Sequence, residues 1–275
     1  MRVRRLNRVE LLLPGEDIPA AARAFNDLLG GHLPPPEEVP GQQVVTTADY
    51  ALGIELYGPS SPASPRSSSF DDKPRRGAVG PLVWEVDDLD AAKAEVVAKG
   101  HRIRFEFGAP GVRQLHLDAD QLFGYGVTFT ERRSEGVGEA PTHVRRFQRV
   151  ELLVAGSDID AARDAFNDVL GADIPPVQRL DDVDVLTTWD LAVGIELFGP
   201  ASPTSRVQPH VERKGRGAIG PLVWEVDDLD AATARAVEAG YRVQYEFGEP
   251  GHRQVHFDDA QLFGYGVTFT ERHAG

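Results

Sequence analysis

The sequence predicts an α+β fold laid down twice, as tandem duplicated domains of paired βαβββ modules. Three observations carry that prediction. The chain repeats itself: GPLVWEVDDLDAA stands at Gly80–Ala92 and again at Gly220–Ala232, and QLFGYGVTFTER at Gln121–Arg132 and again at Gln261–Arg272. Within each copy, segments with period-two alternation flank segments that open on acidic residues and stop at glycine. The length of 275 residues, 41% hydrophobic and 26% charged, suits two ordinary globular domains.

RVELL, AFND and GIEL recur 141 residues apart, whereas the later blocks recur 140 apart. One residue is therefore missing in the Ser/Pro-rich stretch after Pro59 or its counterpart after Pro200. The domains are expected at residues 1–134 and 145–275, joined by a linker at 135–144, each half with its own core.

The elements follow in order. RVELLL is a strand with Val9, Leu11 and Leu13 on one face and Arg8, Glu10 and Leu12 on the other. After Pro14-Gly15, a helix capped by Asp17 or an acidic neighbour runs through DIPAAARAFNDLLG and ends at Gly30. VVTTADYALGIELYG reads as two short strands about a turn. The second module opens with the strand PLVWEV and the helix DDLDAAKAEVVAKG, whose start is acidic. HRIRFEF, RQLHLD and YGVTFTE complete it as three strands. The polar segment from Pro59 to Gly77 suits a surface flap. Its basic end at Lys73, Arg75 and Arg76, with Arg213, Lys214 and Arg216 in copy two, reads first as solvated charge.

Charge and composition exclude several classes. With 29 Lys and Arg against 43 Asp and Glu, the net charge is −14, unsuited to neutralising nucleic-acid phosphates. No cysteine is present, so disulfides, thiolate metal sites and a cysteine nucleophile are absent. MRVRRLNRVELLLPGED is too short in apolar residues for a signal peptide or a membrane span, so a soluble, cytoplasmic protein without membrane partners is expected.

The order of a strand, a helix ending in FNDLLG, then VDDLDAA and KG, found twice, resembles the vicinal oxygen chelate superfamily of glyoxalases, bleomycin-resistance proteins and extradiol dioxygenases. That resemblance implies a curved sheet around a ligand pocket, with helices outside. In metal-using members the ligands are His or Gln, Glu, His and Glu. The resemblance places Arg8 and Arg149 at the first ligand position, Glu55 and Glu196 at the second, Pro81 and Pro221 at the third, and Thr128 and Thr268 at the fourth. One glutamate per domain does not make a transition-metal site, and a guanidinium cannot coordinate. No metal or other cofactor is therefore expected.

An arginine beside a glutamate at that position either binds an anionic or carbonyl oxygen or simply holds the sheet together. Glu10, Glu55 and His116, with Glu151, Glu196 and His256 in copy two, are the candidate proton-transfer groups. Arg8, Glu85, Arg149, Trp189 and Glu225 are the candidate ligand contacts. Trp84 and Trp224 alternate with apolar residues and read as core. Trp189 replaces Ala48 and distinguishes the two copies. The expected function is binding of a small carbonyl-containing or aromatic metabolite, with metal-independent lyase or isomerase chemistry left open. Non-catalytic sequestration, as in drug resistance, is the alternative, and a metal-dependent dioxygenase or lyase the weaker one. Homodimerisation is also left open.

Overall fold

In the computed structural model, residues 3–39, 41–61, 64, 77–132, 139–249 and 251–272 are described. The first module of copy one comprises β1 (Arg5–Leu12), α1 (Ile18–Leu29), β2 (Glu37–Val39), β3 (Val44–Asp49) and β4 (Ile54–Pro59). Its second module comprises β5 (Ala78–Glu85), α2 (Leu89–Ala98), β6 (Ile103–Ala109), β7 (Val112–Leu117) and β8 (Val127–Arg132). Copy two begins with β9 (Arg146–Leu153), α3 (Ile159–Leu170), β10 (Gln178–Leu180), β11 (Val185–Asp190) and β12 (Ile195–Pro200). It continues through α4 (Gln208–Lys214), β13 (Ile219–Glu225), α5 (Leu229–Glu238), β14 (Val243–Glu249), β15 (His252–Phe257) and β16 (Val267–Arg272).

Helix boundaries follow local chemistry. α1 ends at Gly30 with φ 66°, a left-handed conformation that glycine adopts without the steric cost of a Cβ. α2 and α5 start beneath Asp88 and Asp228, whose carboxylates accept the Ala91 and Ala231 amides at 2.9 Å each. Asp17 does not act in this way. It sits at the N-cap position of α1, but its backbone is already helical after the 3-10 turn Gly15–Asp17, and its side chain makes no capping bond.

Each copy forms one curled eight-stranded sheet, ordered β2-β3-β4-β1-β5-β8-β7-β6 and β10-β11-β12-β9-β13-β16-β15-β14. Alternation fixes the faces. Val9 and Leu11 of β1, Leu82 and Trp84 of β5, and Leu115 and Leu117 of β7 are buried in the core. Arg8, Glu10, Gln114 and His116 alternate with them and lie on the opposite, polar face. Two short strands, β2 and β10, were not located in the sequence. The flap residues Lys73, Arg75 and Arg76 lie outside the described residues, whereas Arg213 and Lys214 fall in α4, which was also not expected.

The sheets follow the sequence copies, but packing divides the chain differently. One compact unit combines Met1–Val9 and Val79–Glu135 with Arg149–Ile219, and the other combines Glu10–Ala78 and Gly136–Gln148 with Gly220–Gly275. In the first unit, the buried Trp84 donates Nε1–H to the Val193 carbonyl at 2.8 Å. There the Tyr125 hydroxyl lies 2.7 Å from the carbonyls of both Leu153 and Ala218. The second unit repeats these contacts at equivalent positions. Trp224 donates to Leu52 at 3.0 Å, and the Tyr265 hydroxyl lies 2.8 Å from the Leu12 carbonyl and 2.7 Å from that of Ala78. Tight backbone approach accompanies them: a Cβ on Gly217 would lie 2.4 Å from the Gly124 carbonyl oxygen.

Candidate active site

In the first unit, strand register assembles a polar cluster from copy two. β12 runs parallel to β9 with Glu196 opposite Glu151, and antiparallel to β11 with Glu196 opposite Trp189. Arg149 lies two residues before Glu151 and so shares its face. Its Nε donates to Glu196 Oε2 at 2.6 Å, and a terminal nitrogen lies 3.5 Å from Glu151 Oε1. Thr187, also on β11, donates its hydroxyl to the other Glu196 oxygen at 2.8 Å. The Arg149 side chain is only 4% exposed, and those of Glu151 and Glu196 are 12% and 13% exposed.

One arginine thus faces two carboxylates in a poorly hydrated place. Burial, with the neighbouring Glu196 charge, pushes the Glu151 carboxyl up to about 8, and the attraction of Arg149 only partly opposes this. Glu151 therefore favours its protonated form near neutral pH, on a face that also carries the half-buried Trp189.

Copy one differs in detail. Arg8, 4% exposed, donates to the Asn7 side-chain oxygen at 3.0 Å, and Thr46 donates to Glu55 at 2.8 Å as Thr187 does to Glu196. Glu10 is half-buried. Ala48 stands opposite Glu55 where copy two has tryptophan.

His116 lies on β7 with Phe105 of β6 and Thr128 of β8 opposite it. Its Nε2 lies 3.3 Å from the Gln114 side-chain oxygen, so this nitrogen carries the proton and Nδ1 accepts from the Thr128 hydroxyl at 2.8 Å. Phe105 stacks on the ring at 4.0 Å between centroids. Burial, aided by the positive charges of Arg8 and Arg104, lowers the imidazole to about 4. It is neutral at pH 7 and suited to hydrogen bonding more than to carrying charge. In the second unit, His256 repeats the arrangement, with Thr268 at 2.7 Å and Tyr245 stacked at 3.9 Å.

Glu85 and Glu225 end β5 and β13 and are engaged by arginines. Glu85 takes Arg4 and Arg5 at 3.2 Å each, and Glu225 takes Arg145 at 3.0 Å, Arg146 at 2.7 Å and the Gln148 amide at 3.3 Å. The Arg146 and Gln148 hydrogen bonds hold the Glu225 carboxyl below its usual range, although burial acts against them. Sequence reasoning missed Thr46 and Thr187, which orient the glutamates, although a TT pair directly precedes Ala48 and Trp189; Thr128 and Thr268 were named only as occupants of the fourth ligand position, and not as partners of the histidines. A separate cavity of about 240 Å³ in the first unit is lined by Phe123, Leu153, Val154, Gln208 and Val211, among others, and contains none of these candidate residues.

The fold and the duplicated βαβββ modules define the class. A model of the Glyoxalase/Bleomycin resistance protein/Dioxygenase superfamily matches residues 146–267. An ethylmalonyl-CoA/methylmalonyl-CoA epimerase from Cereibacter sphaeroides is 33% identical over 101 residues, covering 36% of this chain and 75% of that protein. The chain belongs to this superfamily. Among solved structures, a mutant of 4-hydroxymandelate synthase from Streptomyces coelicolor matches with a TM-score of 0.76 at 10% identity, over 100% of this chain and 94% of that one. The Mn(II)-bound glyoxalase from Novosphingobium aromaticivorans matches with a TM-score of 0.62 at 14% identity, over 98% and 82%. At such identities the likeness is one of fold.

Proposed function

We propose that the chain binds a small carbonyl-containing metabolite at the Arg149–Glu151–Glu196 cluster and moves a proton on it without a metal ion. The observation that carries this reading is the buried pair of carboxyl side chains, Glu151 and Glu196, both against the Arg149 guanidinium, at 3.5 and 2.6 Å. Removing and returning a proton next to a carbonyl needs a base, an acid and a positive group for the developing enolate oxygen. Glu196, oriented by Arg149 and Thr187, serves as the base; Glu151 supplies the proton; Arg149 stabilises the oxygen; Trp189 forms one wall. The related epimerase supports a reaction of this type.

The residues do not fit the metal that the superfamily implies. Arg149 has no lone pair to offer, and its guanidinium is hydrogen-bonded to the one glutamate at a ligand position. No step is therefore routed through a metal.

Methylmalonyl-CoA in deuterated water, followed by proton NMR, tests the proposal with chelator-treated protein. Deuterium should enter beside the thioester carbonyl, and Glu151→Gln or Glu196→Gln should slow entry by about 10²–10⁴-fold. Restoration of exchange only by added divalent metal would refute metal independence. Saturable binding without exchange would favour the sequestration reading.

A further inference from the structure

We infer that the cavity beside α4, in the first compact unit, is a binding site for a free α-amino acid with an apolar side chain. The cavity joins an apolar floor to charges of both signs, and those charges are not paired with one another. Its volume of about 240 Å³ is the share of about eight liquid waters, which suits a small organic molecule. It stands apart from the carboxyl cluster: Leu153, in its lining, ends β9 four residues beyond Arg149, about 13 Å along the strand.

The positive charge is Arg216. Arg213, Lys214 and Arg216 stand together in the sequence but are used differently. Arg213 donates to the His210 ring at 2.8 Å, and Lys214 to the Ile219 carbonyl at 3.0 Å. The Arg216 guanidinium, which lines the cavity, has no hydrogen-bond or ion-pair partner among the described residues. Its backbone is nonetheless fixed. Gly215 and Gly217 flank it, both at φ 74°, and a Cβ on Gly124 would lie only 3.0 Å from the Arg216 carbonyl carbon.

The negative charges are Asp158 and Glu212. Asp158 holds the N-cap position of α3 but makes no capping bond, and its carboxylate accepts the Ser157 hydroxyl at 3.2 Å. Glu212 accepts the Gln208 amide at 2.6 Å through one oxygen, leaving the other for a ligand. Neither carboxylate is paired with a cation among the described residues.

This lining selects a ligand that carries both signs. A carboxylic acid without an amine would suit Arg216 but face two carboxylates. An amine without a carboxylate would suit those two but face the guanidinium. An α-amino acid brings a carboxylate for the planar fork of Arg216 and an ammonium for Asp158 and Glu212. Its side chain then rests on Phe123, Leu153, Val154 and Val211. The same occupant accounts for α4: none of its residues is buried, and a ligand against Val211 gives this short helix an apolar surface to cover.

The probe is L-leucine, titrated calorimetrically into the full-length protein. 4-Methylpentanoate, which lacks the amine, and 3-methylbutylamine, which lacks the carboxylate, are the comparisons. Leucine should bind at one site per chain, about tenfold more tightly than either analogue. Arg216→Gln should bring leucine to or below the level of the amine. Asp158→Asn combined with Glu212→Gln should bring it to the level of 4-methylpentanoate. Arg213→Gln removes an equal charge from the same segment and should leave leucine binding intact. All four side chains belong to exposed residues, and circular dichroism confirms the fold of each variant. Absence of leucine binding, equal binding of the three probes, or an equal loss in Arg213→Gln would overturn the assignment.

Discussion

Replacing Glu151 by glutamine tests the central electrostatic feature directly. In the fold this carboxyl keeps its proton up to about pH 8, whereas the unfolded chain releases it near the ordinary value of about 4.5. Between those limits the folded state binds more protons, so the Glu151 contribution to stability falls as pH rises. The slope approaches about 1.4 kcal/mol per pH unit, or about 4 kcal/mol from pH 5 to pH 8. Glutamine has nearly the same shape and does not titrate. Urea unfolding of wild type and Glu151→Gln at pH 5, 6.5 and 8 should therefore show the variant gaining on the wild type with each step. Parallel profiles would show that Glu151 is ionised and hydrated in the fold, and its role as the proton donor would then have to be abandoned.

His116 should behave in the opposite sense. Its folded value near 4 lies below the unfolded value near 6.5, so its contribution is present above pH 6.5 and is lost as pH falls toward 4. In His116→Gln, urea unfolding should lose that part of the acid sensitivity, and ring resonances of the wild type should stay in the neutral position down to pH 5. Trp84→Phe and Trp224→Phe each orphan a buried carbonyl, at Val193 and Leu52 respectively, and should cost about 1–3 kcal/mol apiece in denaturant unfolding. Losses below 0.5 kcal/mol, roughly the surface range, would show that these bonds are not made. Finally, a protease site introduced between Arg132 and Glu139 should yield two fragments that elute together at the size of the intact chain. Elution as separate fragments would contradict the packing of both copies into each unit.

Much of the fold was legible because it is written locally. Two-residue alternation placed Leu115 and Leu117 inside and Gln114 and His116 on the other face, and glycines ended the helices where left-handed backbone was needed. The strands β2 and β10 left no such trace, because Glu37, Glu38 and the residues of β10 are exposed and carry no apolar alternation. α4 was hidden for a related reason: none of its residues is buried, and a short helix without a core-facing stripe looks like a polar loop.

Site residues were legible only to the extent that neighbouring strands could be aligned. Arg149 and Glu196 were nameable as candidates because the family resemblance put them at ligand positions, and Glu151 because strand alternation puts it two residues beyond Arg149 on the same face. The threonine bonds and the stacked aromatics depend on register between strands, which one sequence does not print. The targets of Trp84 and Trp224 are further still, since each tryptophan bonds a carbonyl in the other copy.

Those reciprocal bonds have a consequence for synthesis. Trp84 and its acceptor Val193 are 109 residues apart in the chain. At a translation rate of roughly 5–20 residues per second, Trp84 leaves the ribosome some 5–20 s before its partner exists. During that interval Trp84 lacks the Val193 carbonyl and Tyr125 lacks those of Leu153 and Ala218, although both residues are buried in the finished protein. The second unit waits in the same way, with the first module of copy one emerging long before Trp224 and Tyr265. The first copy must therefore stay unaggregated as a partly uncovered chain until the second arrives, and the high negative charge of the sequence serves that interval as well as the folded state.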